Sequence, residues 1–319
     1  AFAVGLRGTY RVGPGERFSS LTAAGGFFQI VNDSGLQTNV TLLVTGDLTA
    51  ETGTVPLRPI VSTSPLGVIL TLTIAPSAAT ERLVTGAMTN GIQLTGADFV
   101  TIDGRFNGSG RFLRFRNTAS GQPTFNLRQD ANDNTLRNCL IEGASSGASA
   151  AVVVVGTSIT GSVSGVNGGV TGNDNFKLLD CLIRDRSDAA GQPTRGFHCN
   201  SSAGAPNSGG ELRGNEFTNW TSVGIRLNDE TGSDWLIADN HFYYSSTTTN
   251  TAGEITAIEV AGQASVQNIV VARNSIGGDS RSAQGLWTAA NQSAKFVGIQ
   301  IEGIGSSAPG SGPVVRVSG

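Results

Sequence analysis

The segment Asn134–Gly143 reads NTLRNCLIEG, and its layout returns four times further along the chain. Each copy has a short apolar run, an Asn or Cys, one variable residue, an Ile or Phe, and then a polar break. The later copies are NFKLLDCLIRD (175–185), ELRGNEFTN (211–219), WLIADNHFYY (235–244) and IVVARNSIGG (269–278). A layout that recurs in this way predicts a repeated structural unit that stacks on its neighbours.

A second set of short strands alternates with these segments. Its members combine apolar and variable residues: GIQL (91–94), FLRF (112–115), VVVV (152–155), GFHC (196–199), GIRL (224–227), AIEV (257–260) and GIQI (298–301). Two sets of strands that take turns are typical of a parallel solenoid, in which each coil lies over the previous one. We therefore predict an all-β parallel β-helix with equivalent residues stacked about 4.8 Å apart.

The composition favours this fold over a helical one. Of 319 residues 44 are Gly, whereas only 14% are charged and 6% aromatic, which suits strands joined by tight turns. The net charge of −3 argues against nucleic-acid binding, because that function needs a clustered basic face. No apolar run approaches the roughly 18 residues of a membrane span. The three Cys predict neither a disulfide framework nor a zinc site.

Stacking of the repeated segments also predicts a structural ladder at a bend of the coil. Asn amides in such a column can bond one another and the turn backbone, and a buried Cys behaves as a small apolar residue. The ladder consists of Cys139, Cys181, Asn215, Asn240 and Asn274, at intervals of 42, 34, 25 and 34 residues.

The N-terminal region is expected to hold a short capping helix. Within Arg17–Val31 (RFSSLTAAGGFFQIV), Phe18, Leu21 and Phe28 fall on one helical face. Such a helix would cover the end of the coil, which otherwise exposes its core and its strand edges.

The chain is expected to form one domain. We predict a β-helix over residues 1–305, with a cap region at 8–31, followed by a linker and a terminal strand at 306–319. The linker is indicated by SSAPGSG (306–312), and the terminal strand by VVRV (314–317).

A file of outward polar side chains is the most promising predicted surface. His198 is the outward residue of GFHC, and the same phase predicts Gln93, Arg114, Arg226, Glu259 and Gln300 in its column. Aromatic rings beside hydrogen-bonding groups suit sugar rings. The candidate ligand face therefore comprises His198, Arg226, Glu259, Gln300, Trp220, Trp235 and Tyr243.

A resemblance adds to this interpretation. It is carried by GTYRVGPGERFSSLTAA (8–24), VTLLVTGDLTAETGT (40–54), SAATERLVTG (77–86), GADFVTIDGRFNGSGRFLRFRNT (96–118), DNTLRNCLIEG (133–143) and NFKLLDCLIRDRSD (175–188). With these phrases the chain resembles the right-handed parallel β-helix modules of large secreted proteins in Bacteroidota-like bacteria, over about residues 5–301. The resemblance implies a right-handed coil, export by a type IX-type system and residence outside the cell or on its surface. It implies no catalytic residues.

Parallel β-helices also host polysaccharide lyases and hydrolases, and the sequence speaks against both. A pectin-type hydrolase would need Gly-His-Gly and Arg-x-Lys, and neither occurs. A lyase needs a base beside a carboxylate-bound cation, whereas the densest cluster, 180–188 with its alternating Asp and Arg, is typical of paired surface charges. We expect no catalytic residues. Ca²⁺ is the one candidate cofactor, with ligands in DANDN (130–134) and NDN (173–175), although these are also ordinary turn residues.

These observations predict a non-enzymatic extracellular or cell-surface β-helix with a structural or adhesive role. Its partners would be further copies joined head to tail in filaments, further domains of a larger chain, or surface polysaccharide. The alternative is a polysaccharide-binding or polysaccharide-degrading protein of lyase or hydrolase type. Acid, base and cation ligands converging on one face would distinguish that enzyme.

Overall fold

The fold consists of three parallel β-sheets wound around one core. The computed structural model describes residues 5–64, 68–147, 150–156, 171–201, 204–228, 231–245, 253–261, 268–285, 295–302 and 315–318. Within these residues, ten strands form sheet A and seven strands form each of sheets B and C. Neighbouring strands pair in parallel, one coil apart.

After the first three strands, which all belong to sheet A, the chain visits sheets B, C and A in turn, so each further coil adds one rung to each sheet. Sheet A contains β1 (Leu6–Val12), β2 (Leu36–Val44), β3 (Leu72–Pro76), β6 (Val100–Asp103), β9 (Thr135–Arg137), β12 (Lys177–Leu179), β15 (Glu211–Arg213), β18 (Leu236–Ala238), β21 (Ile269–Ala272) and β24 (Val315–Ser318). Sheet B contains β4 (Arg82–Gly86), β7 (Leu113–Asn117), β10 (Cys139–Glu142), β13 (Leu182–Arg184), β16 (Glu216–Thr218), β19 (His241–Tyr243) and β22 (Ser275–Ile276). Sheet C contains β5 (Ile92–Thr95), β8 (Phe125–Arg128), β11 (Val153–Val155), β14 (Arg195–Cys199), β17 (Val223–Leu227), β20 (Glu254–Ala261) and β23 (Lys295–Glu302). The predicted right-handed parallel β-helix is confirmed.

The core is built from columns of stacked side chains. In sheet B the register aligns Phe115, Ile141, Ile183, Phe217 and Phe242 on consecutive rungs, and all five are buried. The rings of Phe217 and Phe242 stack with centroids 5.2 Å apart and planes inclined by 9°. The alternation of inward and outward residues along each strand therefore decides which side chains reach the outer faces.

One strand of the second predicted set lies in another sheet. FLRF contributes to β7 of sheet B, where Arg114 pairs with Leu140. The corresponding rung of sheet C is β8, in which Asn126 pairs with Val154. The prediction was wrong because two short apolar strands follow each other closely here, and both fit the same alternating pattern.

The N-terminal cap has a shorter helix than predicted. Helix α1 spans Phe27–Ser34, because Gly25 adopts the left-handed φ of 75° and the Gly26 amide donates to Ala23 O at 2.9 Å in a turn. Phe18 is buried without being helical, and its ring meets that of Phe27 edge-on at 5.3 Å. The described residues contain no helix that is both long and apolar enough to cross a membrane.

A buried carboxylate fastens this cap to the first coils. Glu51 is only 2% exposed and accepts hydrogen bonds from Leu21 N at 2.7 Å, Thr22 N at 2.8 Å and Ser20 Oγ at 2.9 Å. The Thr22 hydroxyl also donates to it. A buried charge is tolerated only where donors surround it, so these contacts fix the turn before α1 in one position.

The last described strand belongs to the coil. β24 pairs with β21, with Val315 opposite Ile269 and Val317 opposite Val271. The predicted linker at 306–312 lies outside the described residues.

Candidate functional site

The four polar residues of the predicted ligand face lie in file on the outer side of sheet C. Strand pairing places His198 opposite Arg226, Arg226 opposite Glu259, and Glu259 opposite Gln300. Arg226 Nε lies 3.1 Å from Glu259 Oε1. Arg114 is not part of the file, because it belongs to sheet B.

The centre of this file is covered, contrary to the prediction of an accessible face. His198 is 2% exposed and Glu259 is 8% exposed, and Asn126, which takes the rung predicted for Arg114, is fully buried. Burial raises the pKa of Glu259, and Arg226 and Arg195 only partly oppose that shift. Burial, together with the charge of Arg226, lowers the pKa of Arg195 to about 10. The centre of the file is therefore shielded, whereas Arg226 and Gln300 are partly exposed, and ligand binding along the file stays a prediction.

The three predicted aromatic platforms are buried as well. Trp220 and Trp235 are each 1% exposed, and their indole N–H groups donate to Thr256 O at 3.0 Å and to Asn207 O at 2.9 Å. Tyr243 lies in sheet B, away from the file. The prediction failed for the two Trp because they lie in bends, where strand alternation does not fix the direction of a side chain.

The Asn part of the ladder lies at the bend between sheets A and B. The side-chain amide of Asn215 donates to Asn240 Oδ1, and that of Asn240 donates to Asn274 Oδ1, both at 3.0 Å. The same amides donate to carbonyls of the preceding coil at 2.7 and 2.8 Å. Backbone N–H groups of one rung bind the Asn oxygen of the next. These residues link coil to coil.

Two Cys continue the ladder toward the N-terminus. The Cys139 amide donates to Cys181 Sγ at 3.4 Å, and both thiols are buried and unoxidised. Burial raises the pKa of the Cys139 thiol well above its ordinary value, and burial likewise raises the pKa of Cys199 to about 11. Thiols that stay protonated are poor nucleophiles and poor metal ligands.

Asn132 and Asp174, two of the residues considered for Ca²⁺, belong to a second ladder at the bend between sheets C and A. Asp98 Oδ1 accepts from Asn132 N, Asn132 Oδ1 accepts from Asp174 N, and Asp174 Oδ1 accepts from Ser208 N, each at 2.7 Å. Burial raises the pKa of Asp98 and of Asp174, although these bonds oppose it. In the part of the chain that the structure describes, no three His, Cys, Asp or Glu side chains group as metal ligands. Ca²⁺ binding stays a prediction.

The outer side of sheet B carries a third polar network, in which Glu142 is fully buried while Leu140 and Leu182 are half-buried. We call it the clamped face, and it comprises the outward side chains of β7, β10, β13, β16 and β19 together with Arg111 and residues 185–188. Arg111, which precedes β7, crosses two rungs: its Nε donates to Asp180 O at 2.8 Å and its Nη1 to Glu216 Oε1 at 2.7 Å. Tyr243 donates its hydroxyl to Glu216 Oε2 at 2.8 Å.

These bonds set the protonation of the groups involved. Burial alone would raise the pKa of Glu216, but the bonds from Arg111 and Tyr243 outweigh it and hold that pKa below its usual value. Burial and the bond to Glu216 raise the pKa of Tyr243. Burial and the nearby Arg281 lower the pKa of His241. At neutral pH the cluster therefore holds an ionised Glu, a neutral Tyr and a neutral His.

A second segment folds back over the same face in the opposite direction. Arg116 Nε donates to Glu142 Oε2 at 2.6 Å, and Glu142 is fully buried. Ser187, which follows β13, accepts from Arg116 Nη2 at 2.8 Å and from Arg114 Nη1 at 3.1 Å, two rungs back. Asp188 Oδ2 lies 3.1 Å from Arg116 Nη1. The predicted cluster at 180–188 is thus brought into the face as ion pairs.

An apolar floor lies between the polar cluster around Glu216 and the polar cluster around Glu142. One outward column runs from Arg114 through Leu140 and Leu182 to Glu216 on consecutive rungs, and both Leu are half-buried. Sequence reasoning missed this face because its longest contact joins residues 105 positions apart. The available signal was the charge at outward positions of the repeated strands, in Glu142 and Arg184.

Comparison with known proteins yields several similar solved structures, among them an adhesin and a pectate lyase. No family model matches the chain, and no curated protein matches its sequence. The Streptococcus pneumoniae surface protein and adhesin PfbA is 11% identical, with a TM-score of 0.41 over 89% of this chain and 88% of that chain. The pectate lyase Pel9A is 9% identical, with a TM-score of 0.44 over 96% of this chain and 79% of that chain. Both likenesses concern the fold alone.

Proposed function

We propose that this protein is a non-enzymatic β-helix module with a structural or adhesive role outside the cell or on its surface. The proposal rests on one observation, namely that the polar side chains bond to neighbouring coils. In both ladders and on the clamped face, amide, carboxylate and guanidinium groups bind neighbouring coils. Coils linked in this way form a stiff stack that can be extended by adding repeats.

An extracellular position and end-to-end contacts complete this proposal. The resemblance to secreted modules supports export by a type IX-type system. Head-to-tail association into filaments, or contact with further coils of a larger chain, is supported by β23. Among the described residues, this strand is the outermost one of sheet C, and Phe296 is 43% exposed and Ile301 38% exposed. An apolar strand edge of this kind favours pairing with another strand.

Two kinds of experiment test the proposal, one on association and one on cleavage. Light scattering over a concentration series and electron microscopy should show association that weakens in a Phe296→Ser, Ile301→Ser variant. Pectate, alginate, polygalacturonate and chondroitin, with and without Ca²⁺, should yield no unsaturated or reducing ends. Cleavage that disappears in Glu216→Gln would replace the structural role with an enzymatic one.

The second candidate function is polysaccharide binding without cleavage, and the clamped face favours it. Leu140 and Leu182 form a half-buried floor there, with Arg114 and Glu216 at its two ends. An apolar surface bordered by a few fixed polar groups is the usual composition of a site for a small organic ligand.

A further inference from the structure

We infer that the clamped face binds a neutral polysaccharide chain, lying along the axis of the coil over Leu140 and Leu182. The inference rests on the second candidate function and adds to it a place and a ligand class. It moves the ligand surface from sheet C, where the sequence predicted it, to sheet B.

The geometry of the outward column fits an extended chain of sugar units. Arg114, Leu140, Leu182 and Glu216 occupy four consecutive rungs, about 4.8 Å apart. The two Leu offer a narrow apolar strip to the C–H faces of sugar rings, and the polar residues at its ends offer hydrogen bonds to hydroxyl groups. A ligand that also repeats along its length, such as a glycan, matches a surface that repeats rung by rung.

The charges of the face favour a neutral ligand. Each Arg lies within 4 Å of a carboxylate, in the pairs Arg111–Glu216, Arg114–Glu81, Arg116–Glu142, Arg184–Asp185, Arg186–Asp188 and Arg281–Glu216. These six Arg are matched by five carboxylates, because Glu216 pairs with two of them, so the charges of the face nearly balance and its guanidinium groups are already engaged. A sugar hydroxyl can both donate to a carboxylate oxygen and accept from a guanidinium N–H group. The face therefore offers few unengaged charges to an acidic chain, whereas the hydroxyl groups of a neutral chain can bond to both partners of its ion pairs.

The polar groups are also held in place before any ligand arrives. Arg111 is fixed by two bonds, to Asp180 O and to Glu216. Arg114 is fixed by Glu81 at 2.9 Å and by Ser187 at 3.1 Å. Groups that are already ordered lose little conformational entropy on binding, so weak individual contacts can add up to measurable affinity.

The test is affinity electrophoresis of the purified protein in gels that contain one soluble polysaccharide each. The neutral set is β-glucan, xylan and galactomannan, and the acidic set is pectate and alginate. The variant Leu182→Ser removes half of the floor, and Leu140→Ser is its independent repeat. The matched control is Leu179→Ser, because Leu179 is a half-buried outward Leu on sheet A of the same coil. Melting temperatures of all variants are measured alongside.

We expect at least one neutral polysaccharide to retard the wild type, with affinity reduced about fivefold or more in Leu182→Ser or Leu140→Ser. Leu179→Ser should bind like the wild type. The inference is overturned if no neutral polysaccharide retards the wild type, if only acidic ones do, or if Leu179→Ser weakens binding as much as the floor variants. Cleavage of a bound chain would contradict the non-enzymatic function and leave the location of the site intact.

Discussion

The outer faces of sheets A and B share the same strand geometry, but their ion pairs differ in solvent exposure. On sheet A the Arg213–Glu211 pair is close, at 2.6 Å, but its side chains remain 46% and 22% exposed. On sheet B the Arg116–Glu142 pair has the same length, with side chains 9% and 0% exposed. The difference arises from Arg111 and residues 185–188, which bend over sheet B from opposite directions. Outward ion pairs in a solenoid are therefore buried where connecting segments cover them, and there they contribute more to stability.

The largest effect that separates the two faces is expected from Glu142→Gln. The change removes a buried charge and leaves Arg116 without its main partner, which should lower the free energy of unfolding by about 3 kcal/mol. Glu211→Gln on sheet A should lower it by at most about 0.5 kcal/mol, because exposed pairs contribute little. Urea unfolding followed by circular dichroism measures both. Equal losses would mean that burial is not what distinguishes the faces.

A substitution in the Asn ladder, at the bend that joins sheets A and B, should destabilise the protein nearly as strongly. Asn240→Leu leaves Leu212 O and the Asn215 amide without their partners, so we expect a loss of about 2 kcal/mol. Asn39→Leu is the control, because Asn39 is exposed and its Oδ1 accepts from Thr71 N at 3.0 Å near the surface. A melting temperature of Asn240→Leu equal to that of the control would contradict the structural role of the ladder.

A smaller, pH-dependent effect should be confined to the clamped face. The pKa of Glu216 is held below its usual value of 4.5, so its stabilising contribution is present above that value and is lost as the pH falls through the lowered pKa. The stability difference between wild type and Glu216→Gln should therefore shrink under acidic conditions. Unfolding measured from pH 7 to pH 3 checks this, and a difference that grows on acidification would reverse the assigned sign.

The smallest effect is expected on sheet A. Thr9, Thr41, Thr73, Thr101 and Thr135 stack on five consecutive rungs of its outer face. Like neighbours across strands contribute only a few tenths of a kcal/mol each, so Thr73→Ala should cost about 0.5 kcal/mol. A loss as large as that of Glu142→Gln would show that sheet A is not the weaker face.

The sequence was sufficient for the features that depend on local alternation. Ile141 and Phe217 follow the ladder position by two residues, so strand geometry alone sends them inward, and the stacking of Asn240 on Asn274 follows from the repeat. Trp220 could not be placed in the same way, because it lies in a bend where no period applies. The clamped face depends on where connecting segments travel, and the contact from Arg111 to Glu216 leaves no periodic trace.

The Arg111–Glu216 contact also bears on how the molecule folds. Adjacent rungs of the ladder are 25 to 42 residues apart in sequence, whereas this pair joins residues 105 apart. It cannot form until the coils carrying β10 and β13 are in place, so it is a late event with a high cost in loop closure. A solenoid held only by neighbour contacts can lose coils one at a time. Here the contact couples β7 to β16, and hydrogen exchange should show these four rungs opening together, as one cooperative unit.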